Sequence, residues 1–202
     1  MAMQTVYLYV FETLADWEPG FAIAGLNNPA WQAQPGRFQV RTVGETRAAV
    51  RTIGGVTILP DTTLAELEPA ECALLILPGG DWGADKNLAA IEKARTFLAA
   101  GVPVAAICGA TEGLARAGLL DDTRHTSNAP EYLQATGYQG AALYQQQRAV
   151  TAGNLITAGA TSPIEFAYHI FQKLGVYDAQ TLEAWYGLYS TGDPAYFYKL
   201  AQ

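Results

Sequence analysis

Cys108 is the residue in this chain best placed to act as a nucleophile. It stands in Val104-Ala105-Ala106-Ile107-Cys108-Gly109-Ala110-Thr111, directly after an apolar run and directly before a helix-forming stretch. A cysteine at such a junction sits on a sharp strand-to-helix turn with its sulfur pushed out of the backbone. That is a nucleophile elbow, with Cys in place of Ser. The positive end of the following helix favours thiolate. A thiolate adding to a carbonyl also needs donors for the developing oxyanion. The N–H of Gly109 is one. Gly80, in Pro78-Gly79-Gly80 after the preceding apolar run, is the second, because glycine lets the backbone come close to a substrate. A tight strand-to-loop turn explains Gly79-Gly80 equally well.

The proton carriers are fewer. Glu18 lies in Leu14-Ala15-Asp16-Trp17-Glu18-Pro19-Gly20, near the start of the first expected helix. A carboxylic acid beside a thiol can hold one proton and donate a hydrogen bond to the thiolate, whereas an ionised one raises the thiol pKa. Asp16 reads as a helix N-cap, and Trp17 beside it reads as core or interface ahead of the alternative, a substrate contact. A thiol hydrolase would add a histidine base, and the chain has two histidines. His125, in Arg124-His125-Thr126-Ser127-Asn128, lies where it could reach the sheet edge. His169 sits inside a helix four residues after Glu165 and reads as structural. No third ligand is spaced to join Glu165 and His169 in a zinc site, so no metal and no cofactor is expected. Cys72 opens a buried strand and reads as an inert core thiol. Trp82 and the terminal aromatic residues read as core or interface.

The elements that must position these residues follow from hydrophobic pattern. Strands are expected over residues 6–10, 38–43, 72–77 and 102–107. The unbroken apolar runs at 72–77 and 102–107 suit central parallel strands. Residues 49–53 and 56–59 flank Gly54-Gly55 as a hairpin, and 149–151 and 155–157 flank Gly153-Asn154 as another. Helices are expected over 16–26, 88–100, 111–117, 162–174 and 178–188, with a short capped turn from Asp61 through Leu67. Strands alternating with helices give α/β architecture with a mainly parallel central sheet and helices on both faces. In such sheets ligands bind outside the carboxyl ends of the strands. The Glu18 region, Gly79-Gly80 and Cys108 all follow such ends.

Length, charge and composition bound the rest. The 202 residues, half of them apolar, suit one domain, with residues 178–202 as a C-terminal helical and aromatic extension. A formal charge of −7 argues against nucleic-acid or anionic-membrane partners. No apolar run reaches the roughly 18–20 residues that span a bilayer. No N-terminal stretch joins a basic start to a long apolar run, and two cysteines do not make a disulfide framework. A reduced, cytoplasmic protein is expected.

Three segments together resemble a known family. They are Leu77-Pro78-Gly79-Gly80, Ala105-Ala106-Ile107-Cys108-Gly109-Ala110, and Asn154 through Phe166 with its Ala158-Gly159-Ala160-Thr161-Ser162-Pro163 core. In order and spacing they are similar to the DJ-1/PfpI (ThiJ) family, of the class I glutamine amidotransferase-like fold. Ala15-Asp16-Trp17-Glu18 with His125-Thr126-Ser127-Asn128 is similar to a bacterial YdeA/YoaZ-like subgroup described as intracellular proteases or amidases. The resemblance implies a flavodoxin-like three-layer sandwich and a homodimer. It further implies Cys108 as reactive cysteine, Glu18 as its acid partner, and Gly80 and Gly109 as oxyanion donors.

One departure stands out. Many relatives carry a histidine after the elbow helix, and the alignment puts Asn128 there. His125 is three residues earlier, and an odd offset on an extended strand points to the opposite face. Either an irregular loop returns His125 to the site or the site lacks a histidine base, and the offset favours the second. Asn128 can orient a carbonyl but cannot take a proton. The leading expectation is a cysteine-dependent enzyme, hydrolase-like or glyoxalase-like, acting on a small carbonyl or amide compound. The alternatives are a redox sensor of the stress-response kind, oxidised at Cys108, and a binding scaffold without activity.

Overall fold

The computed structural model describes residues 3–201. The elements run β1 (Gln4–Tyr9), α1 (Gly20–Asn27), β2 (Phe38–Gly44), β3 (Val50–Arg51), β4 (Thr57–Ile58), β5 (Thr62–Thr63), β6 (Cys72–Leu77), α2 (Leu88–Ala99), β7 (Val104–Ile107) and α3 (Gly109–Arg116). They continue with α4 (Pro130–Gln134), β8 (Ala149–Ala152), β9 (Leu155–Ala158), α5 (Pro163–Leu174), α6 (Ala179–Thr191) and α7 (Pro194–Leu200). Seven strands form one sheet in the order β5-β2-β1-β6-β7-β9-β8. All neighbours are parallel except β8, which runs antiparallel to β9.

The order explains the layers. The chain moves one way from β1 through α1 to β2 and the other way from β6 through α2 to β7. Right-handed crossovers then put α1 and α2 on opposite faces. α5 packs against α1, and α3 against α2. The expected flavodoxin-like α/β sandwich is the fold observed. Its two middle strands, β6 (Cys-Ala-Leu-Leu-Ile-Leu) and β7 (Val-Ala-Ala-Ile), are covered on both faces, and nearly every residue in them is buried. Continuous apolar sequence therefore reads as central strand.

Register fixes the site. Leu77 pairs with Ala106, and Ile107 with Ala158. The loops after β6, β7 and β9 thus leave the sheet side by side.

Several boundaries differ from the sequence reading. The first helix begins at Gly20 rather than at residue 16, because Pro19 fits only at a helix start and residues 16–19 form turns. Glu18 is therefore on a turn ahead of the helix. The hairpin over 49–59 narrows to two pairs, Val50 with Ile58 and Arg51 with Thr57. Thr62–Thr63 is a short parallel strand on β2, and the capping box of the next turn is Thr63 with Glu66 rather than Asp61. The terminal aromatic residues form α7, where Tyr196 lies so close to α6 that a side chain at Gly187 would overlap its ring. α5 and α6 are joined through Phe171, Tyr177 and Trp185, with the Phe171 and Trp185 rings 4.9 Å apart. No helix is long and apolar enough to cross a membrane among the described residues.

Candidate active site

Cys108 occupies the turn between β7 and α3 with φ 56° and ψ −122°. A non-glycine residue there is strained, and such strain persists only where surrounding structure enforces it. Enforcement comes from both sides. Cys108 N–H donates to Ala158 O at 3.0 Å, and Cys108 O accepts from Thr111 N at 3.0 Å and from Thr111 Oγ1 at 2.6 Å. The sulfur is held forward, half-buried rather than sealed.

Glu18 is brought to this sulfur by the loop after β1. That loop is tied down by Ala15 N–H to Gly79 O at 3.0 Å and Asp81 N–H to Thr13 Oγ1 at 2.9 Å. Glu18 is 1% exposed. Its Oε2 accepts from Gly79 N–H at 2.5 Å, while Oε1 has no hydrogen-bond partner of good geometry. Burial pushes its carboxyl up to about 7, against the pull of the Gly79 N–H and the Cys108 thiol. Burial also pushes the Cys108 thiol up to about 11, reinforced by the Glu18 charge and opposed by Asn128 and the Gly109 N–H. The start of α3 alone would have favoured thiolate. Desolvation and the neighbouring carboxylate outweigh it, so the isolated site rests as a thiol at neutral pH. The two groups titrate as a pair.

Gly79 is the residue the sequence reading undervalued. Its φ needs no glycine, but its position does. A Cβ there would meet Cys108 Cβ at 2.7 Å and Glu18 Oε1 at 2.8 Å, with Oε2 nearer still. Only glycine lets nucleophile and acid meet across this loop. The available signal was a Pro-Gly-Gly following a buried strand. Gly80 has φ +146°, and a side chain on Gly109 would meet Gly80 O at 2.5 Å and Trp82 Cδ1 at 2.8 Å. The two expected oxyanion glycines thus lie backbone to backbone, supported by the buried Trp82, whose Nε1 donates to Pro78 O at 2.9 Å.

Of the remaining candidates, Asn128 reaches the sulfur and His125 does not. Asn128 Nδ2 lies 3.5 Å from Sγ, and its Oδ1 accepts from Ala160 N–H at 2.8 Å. A 2.6 Å hydroxyl bond between Thr111 and Ser127 fastens the Asn128 loop to the elbow helix, a link that no sequence pattern announced. His125 is fully buried elsewhere. Its Nδ1 donates to Thr123 O at 2.8 Å, its Nε2 pairs with Tyr138 Oη at 3.2 Å, and its ring packs between Tyr138 and Tyr144. Because Thr123 O can only accept, the ring is the neutral Nδ1–H tautomer, and burial lowers its pKa. His125 as a base is corrected to a structural residue, because its ring is turned away from the sulfur into the contacts with Thr123, Tyr138 and Tyr144, in an irregular segment that pairs only through one bridge to Tyr144.

Asp16 accepts from Gly54 N–H at 2.7 Å and so ties the Glu18 turn to the β3–β4 hairpin instead of capping α1. Trp17 is 56% exposed and not core. His169 Nδ1 bonds Thr151 Oγ1 at 2.7 Å, between α5 and β8. Burial pushes the Cys72 thiol up to about 12, consistent with an inert core cysteine. No group of three His, Cys, Asp or Glu side chains close enough to hold a metal ion occurs among the described residues.

Comparison with known proteins agrees with this fold. A family model described as DJ-1/PfpI family matches residues 4–173. "Uncharacterized protease YoaZ" of Bacillus subtilis is 41% identical, covering 99% of this chain and 97% of its own length. "Uncharacterized protease YdeA" of the same organism is 31% identical, covering 90% and 88%. The crystal structure of a thiJ/pfpI family protein from Bacillus anthracis superposes with a TM-score of 0.92 at 40% identity, covering 100% of this chain and 98% of that one.

Proposed function

Since the chain belongs to the DJ-1/PfpI family, we propose that it is a cysteine-dependent enzyme acting on a small carbonyl or amide compound. One observation carries this reading: a strained Cys108 lies against a buried Glu18 whose Oε1 has no other partner.

The step follows from the charges. Glu18 opposes the thiolate only while ionised. In the reactive arrangement the proton is on Glu18 and the charge on sulfur. Sγ then bonds to the carbonyl carbon and the C=O π pair moves to oxygen, where the N–H groups of Gly80 and Gly109 receive it. Glu18 returns the proton to that oxygen, so the net step is addition of S–H across C=O. Asn128 donates to the sulfur and takes no proton. Addition to an aldehyde or ketone needs nothing more. Expulsion of an amine from an amide must draw its proton from Glu18 as well, and this favours carbonyl addition over peptide cleavage. The reading treats the chain as one domain with 178–202 as its extension, working as a cytoplasmic homodimer. The exposed Trp17, Ile53 and Val56 beside the Glu18 turn suit such an interface.

The same Oε1 also favours a second reading. A protonated Glu18 can hydrogen-bond a sulfinate formed at Cys108 by two equivalents of peroxide, through the sulfenic acid and with two waters released. Purified protein offered methylglyoxal, chromogenic amides or hydrogen peroxide, beside C108S, separates the two. Turnover lost in C108S supports the enzyme. Stoichiometric sulfinate at Cys108 without turnover supports the sensor. Equal turnover in C108S overturns the enzyme reading.

A further inference from the structure

Two cavities open on the carboxyl edge of the sheet, one on each side of Cys108. The first, about 420 Å³, lies over β1, β2 and β6 and is lined by four carboxylates, Glu12, Glu45, Asp81 and Asp85. Its single cation, Lys86, is already paired with Asp81. The second, about 310 Å³, lies over β8 and β9 and has no carboxylate in its lining. Asn128 belongs both to this cavity and to the surroundings of the sulfur.

The second cavity carries unused donors. Arg148 Nε is held by Glu165 Oε1 at 2.9 Å, and Nη2 donates to Thr161 O at 2.7 Å. These bonds fix the guanidinium plane and leave Nη1 without a protein partner. The side-chain amides of Gln146 and Gln147, on the same wall, are also free of protein hydrogen bonds and exposed. A planar guanidinium edge matches a carboxylate in shape and charge. In a chain of net charge −7 a small anion is repelled over most of the surface; Glu165 offsets part of the Arg148 charge, but the free guanidinium edge and a lining without carboxylates make this the less repulsive of the two cavities for an anion.

We propose that this cavity seats a carboxylate, so that the compound attacked by Cys108 is a small carbonyl compound that also bears a carboxylate group. The assignment rests on Cys108 being the nucleophile. Arg148, Gln146 and Gln147 hold the carboxylate, Asn128 lies between it and the sulfur, and the carbonyl oxygen is left to Gly80 and Gly109. The acidic cavity on the other side repels the same molecule, and this fixes its orientation.

Alkylation of Cys108 by iodoacetate and by iodoacetamide tests this without knowledge of the substrate. In each, a sulfur–carbon bond forms, iodide leaves and the thiol proton goes to solvent. The reagents differ in one carboxylate. The readout is the ratio of their second-order rate constants at Cys108, measured by mass spectrometry. Loss of one nearby positive charge is expected to lower the iodoacetate-to-iodoacetamide ratio about tenfold in R148Q. Addition of a carboxylate in Q147E is expected to act in the same direction. R95Q, whose arginine bonds Ala117 O at the far end of α3 from Cys108, leaves the ratio at the wild-type value. A ratio in folded R148Q within twofold of wild type overturns the proposal, as does an unchanged ratio in Q147E should R148Q not fold. Failure of both reagents to label wild-type Cys108 overturns the nucleophile reading instead.

Discussion

Glu18 and His125 are both ionisable side chains taken almost wholly out of water, yet they do opposite things. His125 has every polar atom matched, Nδ1 to Thr123 O and Nε2 to Tyr138 Oη, with an aromatic ring on either side. Glu18 has one oxygen matched by Gly79 N–H and one left over beside a sulfur. A buried polar group that is fully paired stabilises a fold. One left partly unpaired next to a nucleophile is retained at a cost in stability of about 1–3 kcal/mol, and that cost points to chemistry. The comparison also explains why a histidine near the elbow in sequence was the wrong place to look for a proton carrier.

The largest expected effect that would break this contrast is at the nucleophile. C108S should abolish turnover of any carbonyl compound that the wild type converts, as read by product formation. Next is E18Q. An amide accepts and donates hydrogen bonds but carries no exchangeable acid proton, so the rate should fall about 10²–10⁴-fold, the usual range for a lost general acid. A kcat in E18Q within threefold of wild type would remove Glu18 from the mechanism.

G79A comes third. The added methyl group overlaps both Cys108 Cβ and the Glu18 carboxyl. A loss of about 1–3 kcal/mol in urea unfolding is expected, the usual range for overpacking, together with slower labelling of Cys108 by iodoacetamide. Unchanged stability and labelling would show that the loop gives way and that close approach is not enforced at Gly79.

The sharpest form of the comparison is pH dependence, because the two groups have opposite signs. Glu18 is raised from 4.5 to about 7 in the folded protein, so the native state binds more protons than the unfolded chain between those values. Its contribution to stability is present below pH 4.5 and is lost as pH rises through about 7. This amounts to something on the order of 3 kcal/mol. His125 is lowered from 6.5, so its contribution is present above pH 6.5 and is lost as pH falls. Urea midpoints measured across the acidic range should therefore rise more steeply with pH in E18Q than in wild type, and less steeply in H125Q. Identical slopes in E18Q and wild type would mean that Glu18 is not held up. The smallest effect on reactivity belongs to H125Q. It should lose about 1–3 kcal/mol of stability through its orphaned partners, while the pH profile of Cys108 labelling keeps its shape. A displaced labelling profile in H125Q would return the histidine to the site.

Much of this was legible in the chain. The central strands were readable because burial on both faces leaves an uninterrupted apolar run in β6 and β7. The elbow was readable because such a run ends abruptly in Cys-Gly-Ala. Asn128 was legible only through the family resemblance, which aligns it with a histidine position; the segment from His125 to Asn128 is irregular apart from one bridge at His125, so a strand period does not govern it. The turn carrying Glu18 was misread as helix because Trp17, Phe21, Ala24 and Gly25 fall at helical spacing, while Pro19 and the bond from Gly54 N–H to Asp16 decided otherwise. α4 went unforeseen, because five residues hold too few apolar positions to show a helical period.

By itself the sequence determined which residues could react and on which edge of the sheet they would lie. Strand positions and side-chain alternation are local consequences of hydrophobic spacing. Tertiary structure decided how they met. Gly79 has to be glycine because three loops converge on the space a methyl group would fill. Glu18 is held near neutrality because those loops exclude water from it. Asn128, not His125, touches the sulfur because Thr111 and Ser127 fasten its loop to α3. Distances of this kind are set by packing between segments far apart in the chain, and the electrostatics that separate a reactive cysteine from an inert one follow from those distances.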